Sequence, residues 1–195
     1  MKRVLTAVVG AAAAAAVLAG CSGGDMPPMP GHGAPTTAAQ PGAEAANTAD
    51  VAFAQGMIPH HQQAIDMSRL APERAQSQQV KDLARQIEAA QGPEIHTLSG
   101  WLRDWGAPEP HGGMDHGGMG GMMSADEMAQ LQAARGTEFD RLFLTMMIRH
   151  HEGAVAMART ELAEGRFPAA KQMAQQIIDA QQAEIATMKG LLAQS

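Results

Sequence analysis

The chain has no tyrosine, one cysteine and only 3% aromatic residues in 195 positions. A lone thiol excludes an intramolecular disulfide framework and every zinc site built from several cysteines. With so few aromatics, apolar volume must come from Ala, Met, Leu and Ile. That composition favours helices and disfavours β-sandwiches. Basic charge is also scarce, with 14 Lys and Arg against 20 Asp and Glu and a net charge of −6, and no basic stripe of the kind nucleic-acid binders carry is present. Nothing suggests a nucleophile triad, a phosphate loop or a nucleotide fold. The one long apolar run, residues 4–19, is shorter than the roughly 20 residues needed to cross a bilayer. Methionine and histidine are abundant instead, at 15 and 8. Any metal chemistry therefore falls to thioether and imidazole.

The apolar run follows Lys2 and Arg3 and ends in Leu18-Ala19-Gly20-Cys21. Positive residues, an apolar stretch and a small-residue box describe an export signal. The box has the form of a bacterial lipoprotein cleavage site, so residues 1–20 are predicted to be a lipoprotein signal peptide. Cys21 is then the lipidated first residue of the mature chain. An ordinary signal peptide with an incidental cysteine is the alternative. Either way the protein belongs outside the cytoplasm, and lipidation would hold it at a membrane without a spanning segment. Residues 21–47, dense in Pro, Gly, Ala and Thr, read as a disordered tether. Thr48 is the predicted N-cap where order begins.

Sliding the chain by 90 residues matches it to itself without a gap. Asp50 meets Asp140, Phe53 meets Phe143, Met57 meets Met147, and His60-His61 meets His150-His151. Later, Ile87 meets Ile177, Gln91 meets Gln181 and Glu94-Ile95 meets Glu184-Ile185. About 20 of the 56 positions in 50–105 agree with 140–195. A repeat of this kind governs the whole reading.

Each copy reads as two helices. Phe53, Met57, His60, Ala64 and Met67 lie on one helical face, and Pro72 closes that helix. Ser77 is the predicted cap of a second helix carrying Ala84, Ile87, Gln91, Glu94, Leu98 and Trp101, with a kink expected at Gly92-Pro93. In the second copy Thr137 is the predicted cap, and Pro168 suits the first turn of the last helix. Ser124-Ala125-Asp126-Glu127 has the form of a capping box. The fold class is therefore all-α. A four-helix bundle is built from a duplicated helical hairpin, with an approximate two-fold axis and a long connection. Hairpin 1 spans 48–105, the Gly/Met/His connector 106–123, a short helix 124–135 and hairpin 2 137–195.

Polar residues interrupt the apolar stripes. His60 and His150 sit between Met and Ala; Gln91, Glu94, Gln181 and Glu184 sit on the partner stripes. Burying such groups is costly unless they are paired or bound to metal. Met57 shares a face with His60 and His61, and Met147 with His150 and His151, through spacings of three and four. Thioether plus imidazole suits copper, Cu(I) above all, and zinc or another divalent ion is the weaker choice. Glu94 and Glu184 can orient the histidines or ligate directly. Met67 and Met157 fit core filling better than ligation. A metal-free hydrogen-bonded network of Gln, Glu and His is the bland alternative.

The connector alternates soft ligands with glycine: His111, Met114, His116, Met119, Met122 and Met123. Met26, Met29 and His32 lend the tether a similar flavour. Such a tract is expected to capture copper weakly and exchangeably; a biased mobile linker is the alternative.

The pattern Phe53…Met57-Ile-Pro-His60-His61…Ala64…Met67, then Gln91-x-x-Glu94-Ile95, with its second copy, resembles the bacterial family of domain of unknown function 305. The stretch from Phe139 to Ala154, with Met147-Ile-Arg-His150-His151, is especially similar. The resemblance covers about residues 48–192. Its motifs are specific for the family and less so for an activity. It implies a ferritin-like four-helix fold, extracytoplasmic copper binding and copper tolerance, with ligands among the Met and His named above. Gly92-Pro93 against Gln182-Ala183 is a departure between the copies, so the two halves need not be equivalent at a metal.

The leading functional expectation is a non-enzymatic, membrane-tethered protein that sequesters Cu(I) or hands it over. A ferritin-like metal oxidase is a second expectation, although Glu-x-x-His pairs with further carboxylates, as in di-iron bundles, are not present. A structural or interaction bundle is the third. The sequence names neither a copper-handling partner nor an oligomeric state.

Overall fold

The computed structural model describes residues 45–110 and 120–194. The export signal, Cys21, Met26, Met29, His32 and the connector residues His111, Met114, His116 and Met119 lie outside the described residues. Among the described residues the protein is all-α, with six helices and no strand: α1 Thr48–Ser68, α2 Ala71–Arg74, α3 Gln78–Asp104, α4 Ala125–Ala133, α5 Gly136–Glu164 and α6 Pro168–Leu192. None of these helices is long and apolar enough to cross a membrane. α1 packs on α3 and α5 on α6, and the two pairs meet where α1 lies against α5.

Helix ends follow from local chemistry. Asn47, not Thr48, caps α1: its side chain accepts from the N–H groups of Ala49 and Asp50, and Asp50 reaches back to the Asn47 N–H. This capping box places the helix cap one residue before the expected Thr48. The box at Ser124 and Glu127 forms as the sequence predicts, and Pro168 opens α6. Ser77 occupies the cap position of α3 without a side-chain bond. Thr137 does not cap α5; Arg135 holds the cap position without a side-chain bond, and the helix starts at Gly136, whose φ of +64° suits a residue without Cβ. α3 runs uninterrupted through Gly92-Pro93, and α1 through Pro59, so tertiary packing overrides the local cost of proline.

The core falls into two apolar halves. One gathers Phe53, Ala54, Met57, Leu98, Leu102, Ala154 and residues of early α6. The other gathers Met67, Leu83, Ile87, Phe139, Phe143, Met147 and Met188. In sequence, the buried polar residues His60, His61, Gln91, His150, His151 and Gln181 fall between these two sets on every long helix. A polar belt thus separates two greasy halves, each drawn from both copies of the duplication.

Aspartates tie the two repeats together. Asp50 of α1 accepts from the Arg166 and Phe167 N–H groups at the start of α6, at 3.0 and 2.9 Å. Its counterpart Asp140 in α5 accepts from Gln76 and Ser77 at the start of α3, at 3.1 and 2.9 Å. Each repeat therefore caps a helix of the other, since helix starts leave N–H groups unpaired and favour negative charge.

One carboxyl has no counterpart. Glu161, 1% exposed, sits beside Asp50 where the first copy has Ala71. Burial pushes Glu161 up to about 8, and the neighbouring Asp50 pushes the same way. Burial also raises Asp50, but hydrogen bonds from the Asn47, Phe167 and Arg166 N–H groups outweigh it and hold that carboxyl below its ordinary value. Glu161 is thus held as the neutral acid and Asp50 as the carboxylate, and neither Glu161 oxygen has a hydrogen-bond partner. The folded state keeps a proton that the unfolded chain releases near pH 4.5. Stability should then fall as pH rises from about 4.5 to about 8 and level off above. Glu161→Gln should flatten that slope and be more stable than the parent at pH 8, by ~3 kcal/mol, read from urea unfolding at several pH values. Parallel pH profiles for the two proteins would contradict a proton held on Glu161.

Candidate metal centre

The helical spacing that carries Phe53, Met57 and Ala64 into the core also carries His60, and the repeat does the same for His150. Both imidazoles are fully buried. They meet across the α1–α5 contact with ring centroids 3.7 Å apart and planes tilted by 41°. Burial pushes His60 down to about 3, with the neighbouring His61 adding to the effect. Burial, then His60, pushes His150 well below its ordinary value. Both rings are therefore neutral at any physiological pH.

Their nitrogens are mostly unmatched. His60 Nε2 lies 3.3 Å from the Gly120 carbonyl. A carbonyl only accepts, so the neutral ring carries its proton on Nε2 and its lone pair on Nδ1. That Nδ1, and both nitrogens of His150, have no partner. Buried polar atoms in this state cost about 1–3 kcal/mol each. They are also what a soft or borderline metal ion satisfies.

His61 and His151 turn the other way. Both are fully buried; Nε2 of His61 donates to Glu94 at 2.7 Å, and Nε2 of His151 to Glu184 at 2.6 Å. Their Nδ1 atoms have no partner. The carboxylates thus orient the second histidine of each pair, not the first, through one identical bond per repeat. Gln91 and Gln181, each 3% exposed with an unpartnered Oε1, join Glu94 and Glu184 around a cavity of about 20 Å³ between α3 and α6.

The arrangement constrains the chemistry. Among the described residues no group of three or more His, Cys, Asp or Glu is placed to hold a metal ion. These described residues therefore form no carboxylate cage for a hard ion. The polar belt offers a facing pair of imidazoles with a thioether one turn away on either side. Met57 lies in one apolar half and Met147 in the other, so the two thioethers flank the histidine pair and do not meet on one side of it. A linear bridge needs two nitrogen–metal bonds of about 2.0 Å, so the rings must turn or part as an ion arrives.

Other sequence candidates separate by position. Met67 is buried filler, and Met157 is half-buried in a groove with Phe53 and Glu161. Met122 is half-buried. Met123 is not a freely moving ligand: it is 5% exposed, its sulfur accepts from Arg149 Nη2 at 2.9 Å, and the Gln63 side-chain amide takes both its N–H and its carbonyl. Sequence reasoning passed over Gln63, Arg149 and Gly153, which hold this strap. The signal available was Gly153 itself, a glycine inside a helix, which weakens the helix unless something must come close.

Fold and site define an all-α protein of two repeated helix pairs closed around a buried histidine pair. The chain belongs to the DUF305 family, whose model matches residues 50–192. A DUF305 fragment from Deinococcus radiodurans is 37% identical over 78% of this chain and all of its own, with a TM-score of 0.71. A DUF305 protein of Streptomyces coelicolor, described as secreted, is 33% identical over 75% of this chain and 93% of its own, with a TM-score of 0.69. CopM in its Cu(II)-bound form is 34% identical over 74% of this chain and 96% of its own, with a TM-score of 0.64. CopM has also been solved with Cu(I) and with silver. No curated protein sequence matches the chain.

Proposed function

We propose that this protein binds copper at the cell envelope, holding Cu(I) between His60 and His150 with Met57 and Met147 in reserve on either side, and that it sequesters or hands on the ion without enzymatic turnover. We read the helices as a ferritin-like four-helix bundle and Cys21 as its lipid anchor. The observation that carries the function is the facing pair of neutral imidazoles with unmatched nitrogens, buried in the polar belt between two apolar halves. Neutral nitrogen and thioether sulfur suit a soft monovalent ion. Kinship with CopM, which has been solved with copper and with silver, supports the choice of ion.

The chain's own residues divide the work. His60 and His150 supply lone pairs, Glu94 and Glu184 hold the neighbouring histidines in place, and the apolar halves exclude water from a soft ion. Cu(I) titration under anaerobic conditions against a competing chelator tests the reading. The parent should take copper from the chelator, and the Met57/His60/Met147/His150→Ala quadruple variant should lose at least a hundredfold in affinity, the order expected when ~3 kcal/mol of ligation is removed. Unchanged affinity in the quadruple variant would remove the assigned site. Oxygen uptake on adding Cu(I) or Fe(II), above that of the metal alone, would favour an oxidase instead.

A further inference from the structure

Gly120–Met123 form a short strap between α1 and α5, beside the His60 ring and the α5 backbone at Arg149, His150 and Gly153. Gly120 places its carbonyl 3.3 Å from His60 Nε2 on α1. Gly121, at φ +88°, lies so close to α5 that a Cβ there would stand 2.6 Å from the Arg149 carbonyl. On α5 a Cβ at Gly153 would stand 1.9 Å from the Gly120 oxygen. Two residues on, the Gln63 amide donates to the Met123 carbonyl at 2.9 Å and accepts from its N–H at 2.7 Å. Gln63 and Gly153 occupy the same position of the repeat, 90 residues apart. The duplication has thus given one register position two tasks: on α1 a long amide grips the strap, and on α5 the absence of a side chain makes room for it.

We propose that the strap Gly120–Met123, docked by Gln63 and Gly153, is the removable cover of the His60–His150 pair, admits a soft monovalent ion where it lifts, and selects Nδ1 of His60 as its ligand nitrogen. The selection follows from the carbonyl of Gly120, which holds the His60 proton on Nε2 and leaves the other nitrogen free. Gln63 and Gly153 are positioning residues: neither need touch the ion. The inference rests on the copper reading for the identity of the ion, but the cover itself does not, so the two can fail separately.

The test uses the full-length protein and two variants. Gly153→Ala forces the strap away while improving local helix propensity, so the fold should survive. Gln63→Ala removes the grip and leaves the space. In the metal-free proteins, diethylpyrocarbonate labelling followed by peptide mass mapping should find His60 and His150 protected in the parent and labelled about tenfold faster or more in both variants, the behaviour of a region freed from a local closed state. Imidazole nitrogen NMR should show His60 protonated at Nε2 in the parent and a mixture of tautomers in Gly153→Ala. Silver(I), a redox-inert probe, should associate about tenfold faster with both variants in stopped-flow measurements. Labelling rates at His60 and His150 equal to the parent's in both variants would overturn the cover. Faster labelling with unchanged silver association would overturn its role in admitting the ion. An Nδ1-protonated His60 in the parent would overturn the tautomer selection. Silver affinity that survives His60→Ala with His150→Ala would instead sink the assigned copper site, while faster labelling in the strap variants would leave the cover standing.

Discussion

Replacing His60 and His150 together with leucine is expected to raise the melting temperature of the metal-free protein and to erase its response to Cu(I). Three of the four ring nitrogens in the pair have no partner, and both residues are fully buried. Removing unmatched buried polar atoms and filling the place with apolar carbon should gain ~2–4 kcal/mol. For a chain of this length that is about 5–10 °C in Tm. The parent, by contrast, should gain its stability on loading, ~4 kcal/mol at a thousandfold excess over Kd. Differential scanning calorimetry with and without Cu(I) under reducing conditions reads both effects. A double variant less stable than the metal-free parent would mean that the pair is a satisfied structural network, and the metal reading would lose its support.

The second large effect lies at the ends of the helices. Asp140→Ala should cost ~2–4 kcal/mol, because two N–H groups at the start of α3 lose a charged acceptor. Asp50→Ala removes three such bonds, at 2.6, 2.9 and 3.0 Å, but also relieves Glu161 of its neighbouring charge. Its net cost should therefore be of the same order, ~2–4 kcal/mol, and should grow in a Glu161→Gln background, where there is no carboxyl left to relieve. The two aspartates belong to opposite ends of the helices, so their costs should add within about 0.5 kcal/mol. Urea unfolding of the single and double variants measures this. Losses under 1 kcal/mol for each single variant would show that the crossing bonds do not hold the repeats together.

Much of this architecture was legible in the residues. The 90-residue repeat fixed the number and pairing of the long helices, and the spacing of three and four put His60 and His150 on buried faces. The partners of the polar belt were harder. His60 and His61 differ by about 100° round a helix, so spacing alone left open which would meet its twin and which would meet Glu94. Tertiary placement decided it. Asp50 and Asp140 stood out only as repeated residues, because a cap donated from another helix leaves no local pattern. Asn47 and Arg135 displaced Thr48 and Thr137 at the cap positions because several residues in each stretch can occupy them, and packing selects among them. Met123 was read with the connector by composition, yet its sulfur and backbone are held by Arg149 and Gln63, which lie far away in sequence.

The reciprocal aspartate bonds have the geometry of an isologous interface, the kind two identical subunits make with each other. Here both partners are written into one polypeptide, and that changes what mutation can do. In a symmetric dimer every substitution occurs twice, so a residue that grips on one side must also grip on the other. A tandem duplication lifts that restriction. Gln63 opposite Gly153, and Ala71 opposite Glu161, are asymmetries that only a fused chain can keep.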